Sequence, residues 1–320
     1  MRKRFGRLIL MVAAIPALIG FIPGVPHPGI QLFMWWVPLP PRVDVPEPKE
    51  GVERVLVLAP HPDDEVLGAG GAIVDFLSQG HQVLVVFLTA GDANTAAKRF
   101  LTWNPLNKAE DFRALGYRRM KEAGQAMHIL GVPWDHLLFL GYPDRGLYAL
   151  YTTYREKIFT SPFTKMDHPF YTNSFNPEAR YTGADLLRDL CTILERYQPT
   201  IVYCPHPEDA HSDHRATAYF LAEALAQVSL APEVRYYLVH GHRWPHPLRL
   251  VLDAELPSPA DFLAEWDWCS LPLSEEAVAK KLAAIRAYSS QRLTNGRFLA
   301  AFVRKNEVYT YQAMELVLDK

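Results

Sequence analysis

Two polar clusters in the sequence hold residue types that bind metals and move protons. Residues 60–65 read Pro-His-Pro-Asp-Asp-Glu and offer one imidazole and three carboxyl groups. Residues 206–214 read His-Pro-Glu-Asp-Ala-His-Ser-Asp-His and offer three imidazoles and three carboxyl groups. Imidazole and carboxylate ligands suit Zn²⁺, and a catalytic zinc keeps one coordination position open. The two clusters together therefore contain enough groups for a catalytic zinc site.

Hydrolysis is the chemistry that such a set of groups would serve. A metal acidifies water and polarises a carbonyl group, a base takes up the proton, and a donor stabilises the oxyanion. Each cluster alone has a structural alternative. Asp63 or Asp64 would cap a helix that begins near residue 66, and Ser212 or Asp213 would cap a later one. Two such clusters at equivalent strand ends favour the catalytic interpretation.

Both clusters directly follow predicted strands of an α/β fold. Residues 54–60 and 82–89 are apolar runs rich in Val and Leu, as buried parallel strands are, and the helical pattern between them completes a βαβ unit. The alternation continues with helices predicted at 110–130, 184–197, 212–226 and 275–288, and strands at 136–140, 200–204 and 234–239. We therefore predict a doubly wound, mostly parallel sheet with helices on both faces. In such folds the site lies beyond the carboxyl ends of the strands.

The paired motifs Ala-Pro-His-Pro-Asp-Asp-Glu at 59–65 and His-Ser-Asp-His at 211–214 resemble those of the LmbE-like (PIG-L) deacetylases. The resemblance extends from about residue 52 to residue 217. It implies a Rossmann-like, zinc-dependent hydrolase that removes the acetyl group from an N-acetylated amino sugar such as an N-acetylglucosaminyl compound.

The resemblance also implies a role for each polar residue. It assigns three zinc ligands, which are His61, Asp64 and His214. Asp63 is expected as the general base that deprotonates the attacking water and protonates the leaving amine, and His211 as the donor to the oxyanion. Asp213 is expected to tune His211 or the base. The residue types alone do not separate Asp63 from Asp64.

Two weaker matches concern substrate binding. Arg119, in the pattern Arg-x-x-Glu with Glu122, would grip a sugar hydroxyl or a phosphate. Asp144 ends the Gly-Tyr-Pro-Asp turn at 141–144, and its carboxylate would bind sugar hydroxyls. For Arg119 an ordinary helix-face ion pair with Glu122 remains an open alternative.

The domain contains an aromatic-rich insertion at about 145–183 without clear periodicity. Long segments of this kind inside a compact domain are usually functional. We expect either a lid or substrate wall, or a small subdomain that packs its own rings. Three histidines in the stretch 240–247 have irregular spacing beside prolines, so a polar loop is predicted there in preference to a second metal site.

The N-terminal residues predict a membrane attachment. Residues 1–7 carry four basic side chains, and residues 8–41 contain no Lys, Arg, Asp or Glu. We predict an anchor or signal segment at 1–37, a Pro-rich linker at 38–51 and the deacetylase domain at 52–320. Because basic ends stay in the cytoplasm, the domain is expected outside it, membrane-anchored if the segment stays and secreted if it is cleaved.

The amino-acid composition limits the classes of binding partner that we expect. A net charge of −2 gives no basic face, so nucleic acid is not an expected partner. Three dispersed cysteines form neither a disulfide framework nor a thiolate metal site. The expected partners are an N-acetylated sugar or glycoconjugate substrate, Zn²⁺ and a membrane. Two other functions remain open, a metal hydrolase of another amide and a non-catalytic sugar-binding protein on the same fold.

Overall fold

A computed structural model describes residues 37–102 and 105–311 of the chain. The predicted anchor lies outside these residues, apart from residue 37. Among the helices described, none has the length and apolar character needed to cross a membrane.

One sheet of seven strands organises the described residues. The strands are β1 (Arg54–Ala59), β2 (Gln82–Thr89), β3 (Leu137–Tyr142), β4 (Ile201–Pro205), β5 (Glu233–Tyr237), β6 (Trp268–Pro272) and β7 (Asn306–Tyr311). Their order is β3-β2-β1-β4-β5-β7-β6, and the first five are parallel. β7 pairs antiparallel with β5 and β6. The predicted mostly parallel sheet is confirmed, and the antiparallel pair extends it.

Eight helices surround this sheet in the described residues. They are α1 (Asp64–Ser78), α2 (Thr95–Thr102), α3 (Ala109–Leu130), α4 (Leu147–Thr152), α5 (Gly183–Tyr197), α6 (Ser212–Val228), α7 (Glu275–Ala287) and α8 (Ser289–Ala301). Helix α7 packs on α1 and α3, whereas α5 packs on α6. The helices thus form two groups, as a doubly wound fold requires.

The strand order brings the two polar clusters together. From β1 the chain proceeds to β2 on one side, while β4 pairs with β1 on the other. The direction of winding therefore reverses between β1 and β4. A crevice opens at such a reversal, above the carboxyl ends of the strands. The loops after β1 and β4, which carry the two clusters, border this crevice.

The predicted linker at 38–51 is docked on the domain. It has no helix or strand, yet Val45 is buried. The Gln82 side chain donates to the carbonyl oxygen of Glu47 at 3.0 Å and accepts from the backbone N–H of Lys49 at 3.0 Å. The segment therefore packs along the surface of the domain and is not a free linker.

The aromatic insertion at 145–183 buries two of its rings. Tyr171 is buried, and its hydroxyl donates to Asp92 Oδ2 at 2.6 Å. Tyr181 is also buried and donates to the carbonyl oxygen of Gly141 at 2.9 Å. Of the two expectations for this insertion, these contacts favour the packed subdomain.

Candidate active site

Three ligand-type atoms converge at the crevice. Asp64 is the first residue of α1, and His61 lies in the loop between β1 and this helix. The distance between Asp64 Oδ2 and His61 Nδ1 is 3.1 Å. The same oxygen lies 3.1 Å from Nε2 of His214, in the first turn of α6. All three side chains are buried. The structure thus brings together the three residues predicted to hold zinc.

This donor set fits a zinc ion. Ligand atoms about 2.0–2.1 Å from a tetrahedral zinc lie about 3.3 Å from one another, close to the two 3.1 Å separations that Asp64 Oδ2 makes with the histidine nitrogens. His214 Nε2 is buried beside Asp64 but makes no hydrogen bond to any described residue. A buried imidazole nitrogen 3.1 Å from a carboxylate oxygen, without an aligned hydrogen bond to it, suits two ligands of one metal ion.

Carboxylates on the far side of each histidine orient the rings. His214 Nδ1 lies 3.2 Å from Asp209 Oδ2, an oxygen that also accepts the backbone N–H groups of Val239 and His240. His61 Nε2 lies 3.3 Å from Asp213 Oδ2. Such carboxylate partners fix the tautomer of a ligating histidine and raise its basicity.

The prediction that the Asp213 side chain acts on His211 or on the base is wrong. Its carboxylate contacts His61 and accepts the backbone N–H groups of Arg145 and Leu147 at 2.6 and 3.2 Å. Only its backbone N–H faces His211. Because these backbone donors hold the carboxylate against His61, it orients that ring instead of tuning His211 or the base.

Negative charge surrounds the two imidazoles. The carboxylates are those of Asp64, Asp144, Asp209 and Asp213. Burial lowers the pKa of His214, but Asp209 and Asp64 outweigh it and raise this pKa to about 10. Burial also opposes the charge on His61, yet the carboxylates, led by Asp144, hold its pKa well above the ordinary value. The cluster stabilises positive charge, as a site for a divalent cation must.

Asp63 is held in a strained backbone conformation beside the ligands. Its φ of 124° is rare for a residue with a side chain. Its backbone N–H donates to Glu65 Oε2 at 3.0 Å, and the buried Tyr288 hydroxyl donates to the other oxygen of Glu65. Burial raises the pKa of Asp63 to about 7, against the opposing charge of Arg119. A pKa near the working pH suits a general base.

Arg119 contacts the loop that carries Asp63, the predicted general base. Its guanidinium donates to the carbonyl oxygens of Pro62 at 2.5 Å and Gly91 at 2.7 Å, and lies 3.3 Å from Asp63 Oδ2. The alternative of an ion pair with Glu122 is wrong, because Arg118 is the residue that pairs with Glu122. Arg119 is buried and also lines the site cavity.

Asp144 joins the cluster through His61. Its Oδ1 lies 3.3 Å from His61 Nε2, and its Oδ2 accepts the backbone N–H of Ala93 at 2.6 Å. Burial raises the pKa of Asp144, but His61 more than compensates and lowers it below the usual range. The carboxylate lines the cavity in ionised form, where it accepts hydrogen bonds.

His211 lies beside the predicted ligand His61. Its ring centroid is 4.8 Å from that of His61. Burial and the charge of His61 lower its pKa to about 3, so the ring is neutral at neutral pH. Its Nδ1 accepts the backbone N–H of Asp213 at 3.3 Å. We assign the proton of the neutral ring to Nε2 on this basis.

A cavity of about 230 Å³ opens over these groups. Besides the residues above, it is lined by α8, through Gln291, Asn295, Phe298 and Leu299. Within the described part of the chain, no residue of 146–183 lines it. Of the insertion at 145–183, the described residues that line the cavity are thus limited to its first residue, Arg145, whereas α8, which was not predicted as a helix, provides one wall.

His240 is a site residue that sequence reasoning placed in a polar loop. It lines the cavity, and its ring centroid lies 4.8 Å from that of His214. Its ligand-type nitrogen lies within 4.8 Å of those of Asp64 and His214. The sequence contained a signal for a site residue here, because His240 closely follows the end of β5, just as His61 follows the end of β1.

The chain matches the family described as PIG-L, GlcNAc-PI de-N-acetylase, over residues 56–225. It is similar to a diacetylchitobiose deacetylase of Thermococcus kodakarensis, with 26% identity over 248 residues that cover 77% of this chain and 72% of the relative. It is also similar to a 1D-myo-inositol 2-acetamido-2-deoxy-alpha-D-glucopyranoside deacetylase of a Nocardioides species. That match has 25% identity over 275 residues and covers 78% of this chain and 86% of the relative.

Among solved structures, the fold is similar to that of an N,N'-diacetylchitobiose deacetylase from Pyrococcus horikoshii. The TM-score is 0.52 at 20% sequence identity, and the alignment covers 90% of this chain and 91% of that one. This likeness shows a shared fold. The family match, in turn, spans both polar clusters and ends before α7 and α8.

Proposed function

The chain belongs to the PIG-L family of GlcNAc-PI de-N-acetylases, and from this premise we propose how its residues remove the acetyl group of an N-acetylated amino sugar. The chain is a deacetylase, a hydrolase of an amide bond. The observation that carries the proposed site is Asp64 Oδ2, 3.1 Å from one nitrogen each of His61 and His214. We propose that these three residues hold a zinc ion.

Zinc at this position would polarise the acetyl carbonyl group and acidify a water molecule. Asp63, the neighbour of the ligand Asp64, accepts the proton of the attacking water. It then returns this proton to the nitrogen as the carbon–nitrogen bond breaks, so that acetic acid and a free amine leave. The elevated pKa of Asp63, about 7, supports both directions of transfer.

His211 stabilises the charge that develops on the carbonyl oxygen. Its neutral ring has Nδ1 occupied by a backbone N–H, which leaves Nε2–H as the donor toward the cavity. Asp209 and Asp213 keep the rings of His214 and His61 oriented through the reaction.

Two charged side chains at the cavity would bind the sugar. The ionised Asp144 accepts hydroxyl hydrogen bonds, and Arg119 donates to a hydroxyl or a phosphate. The relatives named above act on a chitobiose and on an inositol glycoside. For this chain we propose an N-acetylglucosaminyl glycoconjugate.

We also propose that the N-terminal segment anchors the enzyme in a membrane, with the catalytic domain outside the cytoplasm. The support is the basic end at 1–7 followed by the uncharged stretch 8–41. A cell-envelope glycan or lipid-linked sugar would then be the substrate class within reach.

The direct test is amine release by the zinc-loaded full chain from a panel of N-acetylglucosaminyl compounds, with fluorescamine as the reporter. We expect turnover of at least one glycoside and its loss on chelation, with recovery when zinc is added. Hydrolysis of non-sugar acetamides alone would instead mark a metal hydrolase of another amide. Binding of sugars without amine release would mark a non-catalytic protein.

A further inference from the structure

The site cavity has two chemically different ends. One end lies against the turn after β2 and carries amide and charged groups. The other lies against the end of β5 and carries apolar side chains. Helix α8 contributes to both, and it lies outside the segment that matches the family.

Hydrogen bonds define the polar end. Asn94 Nδ2 donates to Gln291 Oε1 at 2.8 Å, which ties the turn after β2 to the start of α8. In the same turn, the carbonyl oxygen of Gly91 accepts a hydrogen bond from Arg119, and the backbone N–H of Ala93 donates one to Asp144. This end therefore gathers the groups that suit sugar hydroxyls.

Ring contacts define the apolar end. The rings of Phe298 and His240 are stacked, with centroids 5.7 Å apart and planes inclined by 6°. His240 in turn lies beside the zinc ligand His214. Val239 and Leu299, both buried, complete this end of the cavity lining. The apolar surface thus begins next to the proposed metal position.

Helix α8 connects the two ends. Gln291 precedes and Phe298 and Leu299 follow a kink at Asn295, and all four side chains line the cavity. Asn295 departs from helical geometry, with φ −126° and ψ 21°. Its side chain is exposed at the cavity and makes no hydrogen bond to any described residue. Its amide is available to a ligand midway along the helix.

We propose that α8 orients the substrate: Phe298, Leu299 and Val239 enclose the acyl group, while the sugar lies toward Gln291 and Asn295. The limited apolar surface at this end then selects acetyl over longer acyl groups. This inference rests on the proposed deacetylation and adds to it the residues that set acyl length.

The test compares N-acetyl-, N-propionyl- and N-butyrylglucosamine as substrates of the zinc-loaded full chain. We expect Phe298→Ala, and the smaller change Leu299→Val, to raise the butyryl-to-acetyl ratio of kcat/KM about 10-fold or more, since each methylene in an apolar pocket is worth about 10-fold or more. Asn295→Ala should raise KM and leave the ratio unchanged. Leu293→Ala, on the exposed side of the same helix, is the matched control. A ratio within about 2-fold of wild type in both folded acyl-end variants would overturn the proposal.

A second measurement separates this proposal from the proposed function. Acetate, propionate and butyrate are product-like probes of the acyl end that need no sugar and no turnover. We expect acetate to raise the Tm of the zinc-loaded wild type most, and Phe298→Ala to shift the preference toward butyrate. Suppose that no glucosamine derivative is cleaved, but that Phe298→Ala changes the order in which the three carboxylates raise the Tm. The proposed substrate is then wrong, whereas the proposed role of Phe298 in acyl binding is supported. If the derivatives are cleaved, but the variants change neither the butyryl-to-acetyl ratio nor the order of the carboxylates, the proposed acyl-binding role of this end is wrong.

Discussion

At the scale of single residues, carboxylates hold the rings of the two histidines proposed as zinc ligands. Asp209 receives the backbone N–H groups of His211, Val239 and His240 while it faces His214. One buried side chain thereby links the loop after β4, the end of β5 and a proposed zinc ligand. Its partner His214 lowers the pKa of Asp209 to about 2 although burial opposes this, so it is ionised at neutral pH.

We predict that Asp209→Asn lowers zinc affinity about 10–100-fold, because the neutral amide no longer raises the basicity of His214. Competition with a chromophoric chelator measures the affinity. Asp135→Asn, at an exposed aspartate remote in the chain from the clusters, provides the control. An unchanged affinity in the folded Asp209 variant would show that His214 does not depend on this carboxylate, and would weaken its assignment as a ligand.

At the scale of elements, buried polar pairs fasten the aromatic insertion to the sheet. Asp189 on α5 accepts the Tyr142 hydroxyl of β3 at 2.8 Å and the Asn176 amide of the insertion at 2.8 Å. Burial raises the pKa of Asp189 to about 6, despite these two donors. The contact among the three elements thus depends on pH.

The sign of this dependence follows from linkage. The folded pKa lies above the unfolded value, so the contribution of Asp189 to stability is complete below about pH 4 and is lost as pH rises through about 6. Asp189→Asn cannot ionise. The free energy of unfolding of this variant, relative to wild type, should therefore increase by about 1 kcal/mol between pH 5 and pH 8.

Urea unfolding of both proteins at the two pH values measures this difference, with Asp253→Asn on the surface as the matched control. A difference that stays constant, or that moves in the opposite direction, would mean that Asp189 is ionised throughout this range in the folded protein.

At the scale of the whole molecule, sequence patterns predicted the parallel half of the sheet and the pairing of the clusters. The reason is physical: buried parallel strands are continuous apolar runs, and the strand order places their following loops together. β7 was missed because it buries Asn306, Glu307 and Thr310, whose partners come from distant elements. Helix α8 was missed because its cavity face mixes amide and apolar side chains.

The same contrast holds for the site. The proposed ligands and base lie within short motifs, whereas the hydrogen bond of Arg119 to Pro62 and the approach of His240 to His214 depend on the folded chain. Residue types alone could not separate Asp63 from Asp64. The structure distinguishes them, since only Asp64 is within 3.1 Å of both histidines.

The proposed location also belongs to this scale. We predict that the full chain fractionates with membranes and that protease added from outside the cytoplasm cleaves the domain. Membrane fractionation followed by mass spectrometry of the N-terminus measures both. A mature chain that begins beyond residue 20 and remains in the soluble fraction would show a cleaved signal instead of an anchor.

The central claim is that neighbouring aspartates divide the work, Asp64 holding zinc and Asp63 moving the proton. The most direct measurement compares Asp63→Asn with Asp64→Asn for zinc content and for kcat on a cleavable N-acetylglucosaminyl compound. We predict that Asp63→Asn keeps close to one zinc and loses about 10²–10⁴-fold in kcat, whereas Asp64→Asn loses the zinc and the activity together. Loss of zinc from the Asp63 variant with retention in the Asp64 variant would contradict this account.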